Sequence, residues 1–108
     1  MGVNIESSPD GLIARLSGEI DHHSARQIRE KIDAEIEKTR PKKLIMDFEQ
    51  VLFMDSSGVG LIMGRYKLMQ IYGGKLKIIG ASERVKKVIS MAGIERLGIF
   101  CENTGVSR

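Results

Sequence analysis

Apolar and polar residues alternate through Val3-Asn4-Ile5-Glu6, and Ser8-Pro9-Asp10-Gly11 then supplies turn chemistry before a second short strand over Leu12 to Leu16. A link this short makes the pair an antiparallel hairpin, and Gly18 is expected to end it. The period then changes. Asp21 reads as a helix N-cap, and Ala25, Ile28, Ile32 and Ile36 recur at helical spacing with charged residues on the other faces. Pro41 disfavours helical geometry in the residue before it, so this first helix should stop near Thr39-Arg40. Leu44-Ile45-Met46 is a continuous apolar run, as suits a central strand.

Ser57 to Tyr72 returns to helical spacing, with Val59, Ile62, Tyr66 and Met69 on one stripe and Leu61 and Leu68 beside it. Gly73-Gly74 ends this second helix. Leu76, Ile78 and Ile79 read as a strand, Ser82 caps a third helix carrying Val85, Val88, Ile89 and Met91, and Gly93 closes it. A last short strand is expected over Leu97 to Phe100, and residues 104–108 read as a loose tail. The order is ββαβαβαβ, an α/β fold. Right-handed crossovers proceeding in one direction give a mixed β-sheet with an N-terminal antiparallel hairpin and helices packed on one face. With 108 residues there is material for one core and not two, so residues 1–103 are expected to form a single domain.

Composition narrows the function classes. No apolar run approaches the length of a membrane span, and no basic-then-apolar start suggests export. The one cysteine, Cys101, has no partner in the chain, which excludes a disulfide scaffold or a cysteine-rich metal site and suits a reducing cytoplasm. Lys and Arg number 17 against 14 Asp and Glu, but the basic residues are spread among element ends, and there is no Trp. Direct nucleic-acid binding is therefore not expected.

The stretch richest in chemistry is Leu52-Phe53-Met54 followed by Asp55-Ser56-Ser57-Gly58, an apolar strand running into a carboxylate and two hydroxyls where the second helix begins. Capping accounts for one such residue, not for three in a row followed by glycines at 58 and 60, each costing about 1 kcal/mol of helix stability relative to Ala. Ends of strands in open α/β sheets are also where sites gather. A hydrolase elbow would need glycine two positions before the serine, where this chain has Met54 or Asp55. His22 and His23 are candidates for a base, but they follow the Asp21 cap as first-turn residues, and with Asp21 they are too few for a metal site. No P-loop and no complete dinucleotide fingerprint are present. A receiver-type acceptor at Asp47 or Asp55 lacks the early acidic pair needed to hold a metal.

Gly18-Glu19-Ile20-Asp21, Phe53-Met54-Asp55-Ser56-Ser57-Gly58-Val59-Gly60 and Gly73-Gly74-Lys75 resemble the STAS domain family, in particular its anti-sigma factor antagonists. Glu19-Ile20-Asp21-His22-His23 and Gly64-Arg65-Tyr66-Lys67 are similar to the sporulation branch. The resemblance implies a non-enzymatic regulator without a cofactor. It places a phosphorylated serine at Ser56, and it implies two partners. One is an anti-sigma factor that is itself an ATP-dependent serine kinase, and the other is a protein serine phosphatase. The unphosphorylated form would bind the anti-sigma factor and free the sigma factor. Two alternatives are a ligand-sensing module that binds a nucleotide or anion at the same helix start, and a small serine hydrolase.

The expected partner surface comprises Asp21, Asp55, Ser57, Gly58, Gly60 and Arg65, with Lys67 beside them. Asp21 caps its own helix and also meets the kinase, and Ser57 caps the second helix. Asp55 either orients the Ser56 hydroxyl or accepts from Ser57. Gly58 and Gly60 keep the acceptor accessible, and Arg65 meets acidic groups of the partner. A phosphate on Ser56, carrying roughly −1.5 to −2 charges, is expected to rest against free N–H groups of the helix and to repel the partner without unfolding the chain.

Overall fold

The computed structural model describes residues 2–100, the side chain of Glu95 excepted. Cys101, the expected domain end at 103 and the tail over 104–108 lie outside the described residues. Strand β1 (Gly2–Ser8) pairs antiparallel with β2 (Gly11–Ile20), and β2 pairs parallel with β3 (Lys43–Met54), which pairs parallel with β4 (Lys75–Ile79). The sheet order is β1-β2-β3-β4, so each crossover moves the same way and places its helix on the same face. Helix α1 (His22–Thr39) joins β2 to β3 and α2 (Ser57–Ile71) joins β3 to β4, while α3 (Glu83–Met91) follows β4.

Leu12, Ala14, Leu16, Leu44, Met46, Phe48, Leu76 and Ile78 point from the sheet into the core. They meet Ala25, Ile28, Ile32 and Ile36 of α1, the four residues whose spacing predicted that helix. Thr39 is the last helical residue, and Arg40 closes α1 in the left-handed region with its N–H donating to Ile36. Gly73 and Gly74 donate to Gln70 and Met69 at the end of α2, as their position predicted.

Two boundaries differ from the sequence reading, and both matter for the site. Gly18 does not end β2. It adopts φ +83 inside the strand, next to a shift of register, and β2 continues to Ile20. The acidic stretch after Met46 likewise stays in β3 as far as Met54, through a second irregularity opposite Arg15 to Ser17. The two strands therefore finish level, Ile20 beside Met54, and the loops that leave them are neighbours. At the other end, Ile94–Leu97 is a 3-10 turn. Of the strand expected over Leu97 to Phe100, the described residues contain one parallel bridge, Phe100 with Ile78.

Candidate functional site

The Asp55 backbone N–H donates to the carbonyl of Ile20 at 3.1 Å, which ties the exit of β3 to the exit of β2. Two acidic residues 34 positions apart in sequence, Asp21 and Asp55, thereby stand at one edge of the molecule, each opening a helix. Asp21 caps α1 in a reciprocal box: its Oδ1 accepts from the Ser24 N–H at 2.9 Å, and the Ser24 hydroxyl oxygen accepts from the Asp21 N–H at 3.0 Å. The backbone N–H bond from Ser24 holds the exposed Asp21 carboxyl below its ordinary range.

At α2 the cap differs from the one expected. The Ser57 side chain does not cap. The Oδ1 of Asp55 accepts from the Ser57 N–H at 2.8 Å, two residues on, in the manner of an Asx turn. Ser56 occupies the N-cap position with helical φ and ψ, so its own side chain is turned away from the first-turn N–H groups and makes no capping bond. The Ser56 side chain is exposed and, among the described residues, hydrogen-bonds to nothing, whereas Ser57 is half-buried against α1. The N–H groups expected to stand free are occupied: Gly58 donates to Asp55 O, and Val59 and Gly60 donate to Ser56 O. The backbone under Ser56 is thus fixed without any help from its hydroxyl.

Two residues of the expected partner surface face inward. Gly58 is buried, and a Cβ there would overlap Sδ and Cγ of Met54, so the glycine serves the packing of α2 on β3. Arg65 is 5% exposed. The buried stripe of α2 is Gly58, Leu61, Ile62, Arg65 and Met69, rotated from the one read off the sequence, and Arg65 belongs to it. Its Nε lies 2.7 Å from Asp33 Oδ1 on α1, its Nη2 donates to Asp33 Oδ2 at 3.3 Å, and its Nη1 donates to the Leu61 carbonyl at 3.1 Å. Burial pushes the Asp33 carboxyl up and the Arg65 guanidinium down, each shift only partly offset by the other's charge. Arg65 clasps α1 to α2 and does not meet a partner. Its spacing, three residues after Ile62 and four before Met69, is compatible with the buried stripe, but its partner Asp33 on α1 is not visible in the sequence.

Gly60 is exposed, and a Cβ there would touch nothing. It borders a groove of about 520 Å³ between the amino-terminal halves of α1 and α2, lined by His22, Arg26, Arg29, Ser57 and Leu61. Arg26 and Arg29 were not singled out by the sequence reading. The available signal was their spacing from His22, four and seven positions on, which sets all three on one face of α1. Among the described residues no group of three His, Cys, Asp or Glu is placed to hold a metal ion, and no helix is long and apolar enough to cross a membrane.

Residues 2–105 match the model of the STAS domain family. An anti-sigma F factor antagonist of Paenibacillus polymyxa is 34% identical over 101 residues, covering 94% of this chain and 86% of that protein. The solved structure of the anti-sigma factor antagonist SpoIIAA in its unphosphorylated form superimposes with a TM-score of 0.83 at 34% identity, covering 94% of this chain and 88% of that one. The phosphorylated form of the Bacillus cell fate determinant SpoIIAA superimposes with a TM-score of 0.76 at 33% identity, covering 94% and 91%.

Proposed function

Since the chain belongs to the STAS domain family, we propose that it is an anti-sigma factor antagonist whose binding is gated by phosphorylation of Ser56. It has no catalytic activity of its own. In its unphosphorylated form it docks on an anti-sigma factor that is a serine kinase, through Asp21, Asp55, Ser56, Ser57 and Gly60, and so releases the sigma factor. The kinase transfers phosphate from ATP to Ser56, binding is lost, and a serine phosphatase restores it. These partners act on transcription, so the chain works in the cytoplasm.

One observation carries this reading: an exposed hydroxyl with no hydrogen-bonding duty, on a turn whose backbone is fixed by Asp55 and Ile20. A kinase reaches such a group without disturbing the fold. Ser57, half-buried beside α1, is the poorer acceptor. The phosphate finds no vacant N–H groups to settle against, so its charge stays at the surface next to the Asp55 carboxylate. A buried like charge or an unpaired, desolvated dianion at a contact costs several kcal/mol, and about 4 kcal/mol corresponds to a thousandfold in affinity.

Incubation with the cognate anti-sigma kinase and ATP, followed by peptide mapping in a mass spectrometer, should place a single phosphate on Ser56. Ser56→Ala should bind the kinase and resist release, while Ser56→Asp should bind weakly. Phosphate on Ser57, or normal binding by Ser56→Asp, refutes the assignment.

A further inference from the structure

The groove beside Ser57 is lined by cationic side chains, whose acidic neighbours lie outside it. Arg26 and Arg29 enter it from α1 together with His22, and no acidic side chain lines it. Arg26 approaches Glu30 only at 3.9 Å, on a pair that is largely exposed on both sides. Arg29 adds a second guanidinium near the Arg65–Asp33 clasp, where its charge disfavours the ionised form of Arg65. The first turn of α2 presents its positive end to the same space, and α1 has no acidic residue in its own first turn. Glu30 and Asp33 offset part of this charge from outside the groove, but nothing acidic meets it within the groove. The Asp55 carboxylate does not relieve it, being held by the Ser57 N–H.

We propose that this groove receives an acidic side chain of the protein that docks over Ser56, with Arg29 and Arg26 as its ionic partners. The inference rests on the reading of the chain as a partner-binding protein and adds the chemistry that the partner must present. Ser57 lines the groove and is adjacent to the acceptor, so a protein seated on Ser56 stands at the groove's rim and can close over it. That cover is what gives the arginines their effect. Left open, exposed guanidiniums are hydrated and screened, and they hold a small free anion weakly. Beneath a docked surface, water is excluded and a bidentate guanidinium–carboxylate contact strengthens. Leu61 and the bare backbone of Gly60 provide an apolar, uncrowded wall for the carbon stem of a Glu or Asp.

The test measures the dissociation constant of the unphosphorylated chain for its cognate anti-sigma kinase in the presence of ADP, with Arg29→Glu, Arg26→Glu/Arg29→Glu and the neutral Arg29→Gln. Lys31→Glu is the control, since it makes the same charge change nearly half a turn away on the exposed side of α1. Arg29→Glu should bind about 100-fold more weakly and Arg29→Gln about tenfold, with Lys31→Glu within a factor of two. The neutral variant should also lose part of the wild-type salt dependence. Melting temperatures close to wild type separate these losses from misfolding.

If wild type binds and the Arg29 variants bind equally well, this inference fails while the proposed function stands. If Lys31→Glu loses as much as Arg29→Glu, only overall charge matters and the inference again fails. If wild type does not bind at all, both fall. Saturable calorimetric binding of ATP to the chain alone, abolished by Arg29→Glu, would assign the groove to a nucleotide and overturn the proposal.

Discussion

Asp21 shows how much one side chain decides at this edge of the molecule. Its carboxylate satisfies the N–H of Ser24, and it stays ionised below the ordinary carboxyl value of 3.8 because that bond favours the charged form. A carboxyl with a lowered folded-state pKa contributes stability that is fully present above its unfolded value and is lost as pH falls through the folded one. The stability gap between wild type and Asp21→Ala should therefore be complete at neutral pH and shrink once the pH drops below 3.8. Urea unfolding of both proteins at neutral and acid pH measures it. A gap that stayed constant on acidification would mean that the cap does not depend on charge. Asp55 works on the neighbouring helix by a shorter route, through the Ser57 N–H, and so leaves the Ser56 hydroxyl free. The choice between Asp55 orienting Ser56 and accepting from Ser57 was open in the sequence, because it turns on one backbone torsion pair.

Between elements, the contact that sets the spacing of the groove is the Arg65 clasp. Removing one partner of a buried pair leaves an uncompensated charge, and Arg65→Ala should cost about 3 kcal/mol, the low end of that range because Asp33 keeps 33% of its side-chain exposure. Arg65→Lys should recover only part, since a single ammonium cannot reach Asp33 and the Leu61 carbonyl with the guanidinium's geometry. Chemical denaturation checks both, and a loss below ~1 kcal/mol for Arg65→Ala would show that the clasp contributes little.

The two glycines at the start of α2 should respond in opposite ways. Gly58→Ala drives a methyl into Met54 and should destabilise by about 1–3 kcal/mol. Gly60→Ala meets empty space and should stabilise by up to about 1 kcal/mol, while its methyl weakens kinase binding several-fold. Thermal melts together with binding assays separate the two effects. Stabilisation of Gly60→Ala with undiminished binding would remove Gly60 from the partner surface.

For the molecule as a whole, the question is whether phosphate reshapes the fold or only recolours its surface. The fold of this chain is shared with solved structures of both the unphosphorylated and the phosphorylated SpoIIAA. Ser56 makes no hydrogen bond that phosphate would break among the described residues. Amide spectra of the Ser56-phosphorylated chain should accordingly change only around residues 20–26 and 53–61. Widespread shifts across β1 and α3 would instead demand a conformational relay.

The elements through α3, their order and the mixed sheet follow from periodicity, because burying one face of a helix or strand imposes a spacing that local sequence displays directly; the strand expected after α3 reduces to one bridge among the described residues. The motif at Asp55 to Gly60 was legible for the same reason: carboxylate, hydroxyls and glycines are conspicuous after an apolar strand. Which of these groups point outward was not legible. Arg65 read as a surface cation and is a buried clasp, since its environment depends on Asp33, a residue 32 positions away on another helix. Gly58 and Ser57 changed roles through Met54 and Asp55 in the same way. The pairing of the Asp21 and Asp55 loops likewise arises from two strand irregularities that make β2 and β3 finish level. Local spacing records which residues must leave water, whereas the partner that each one meets there depends on how separately formed elements dock.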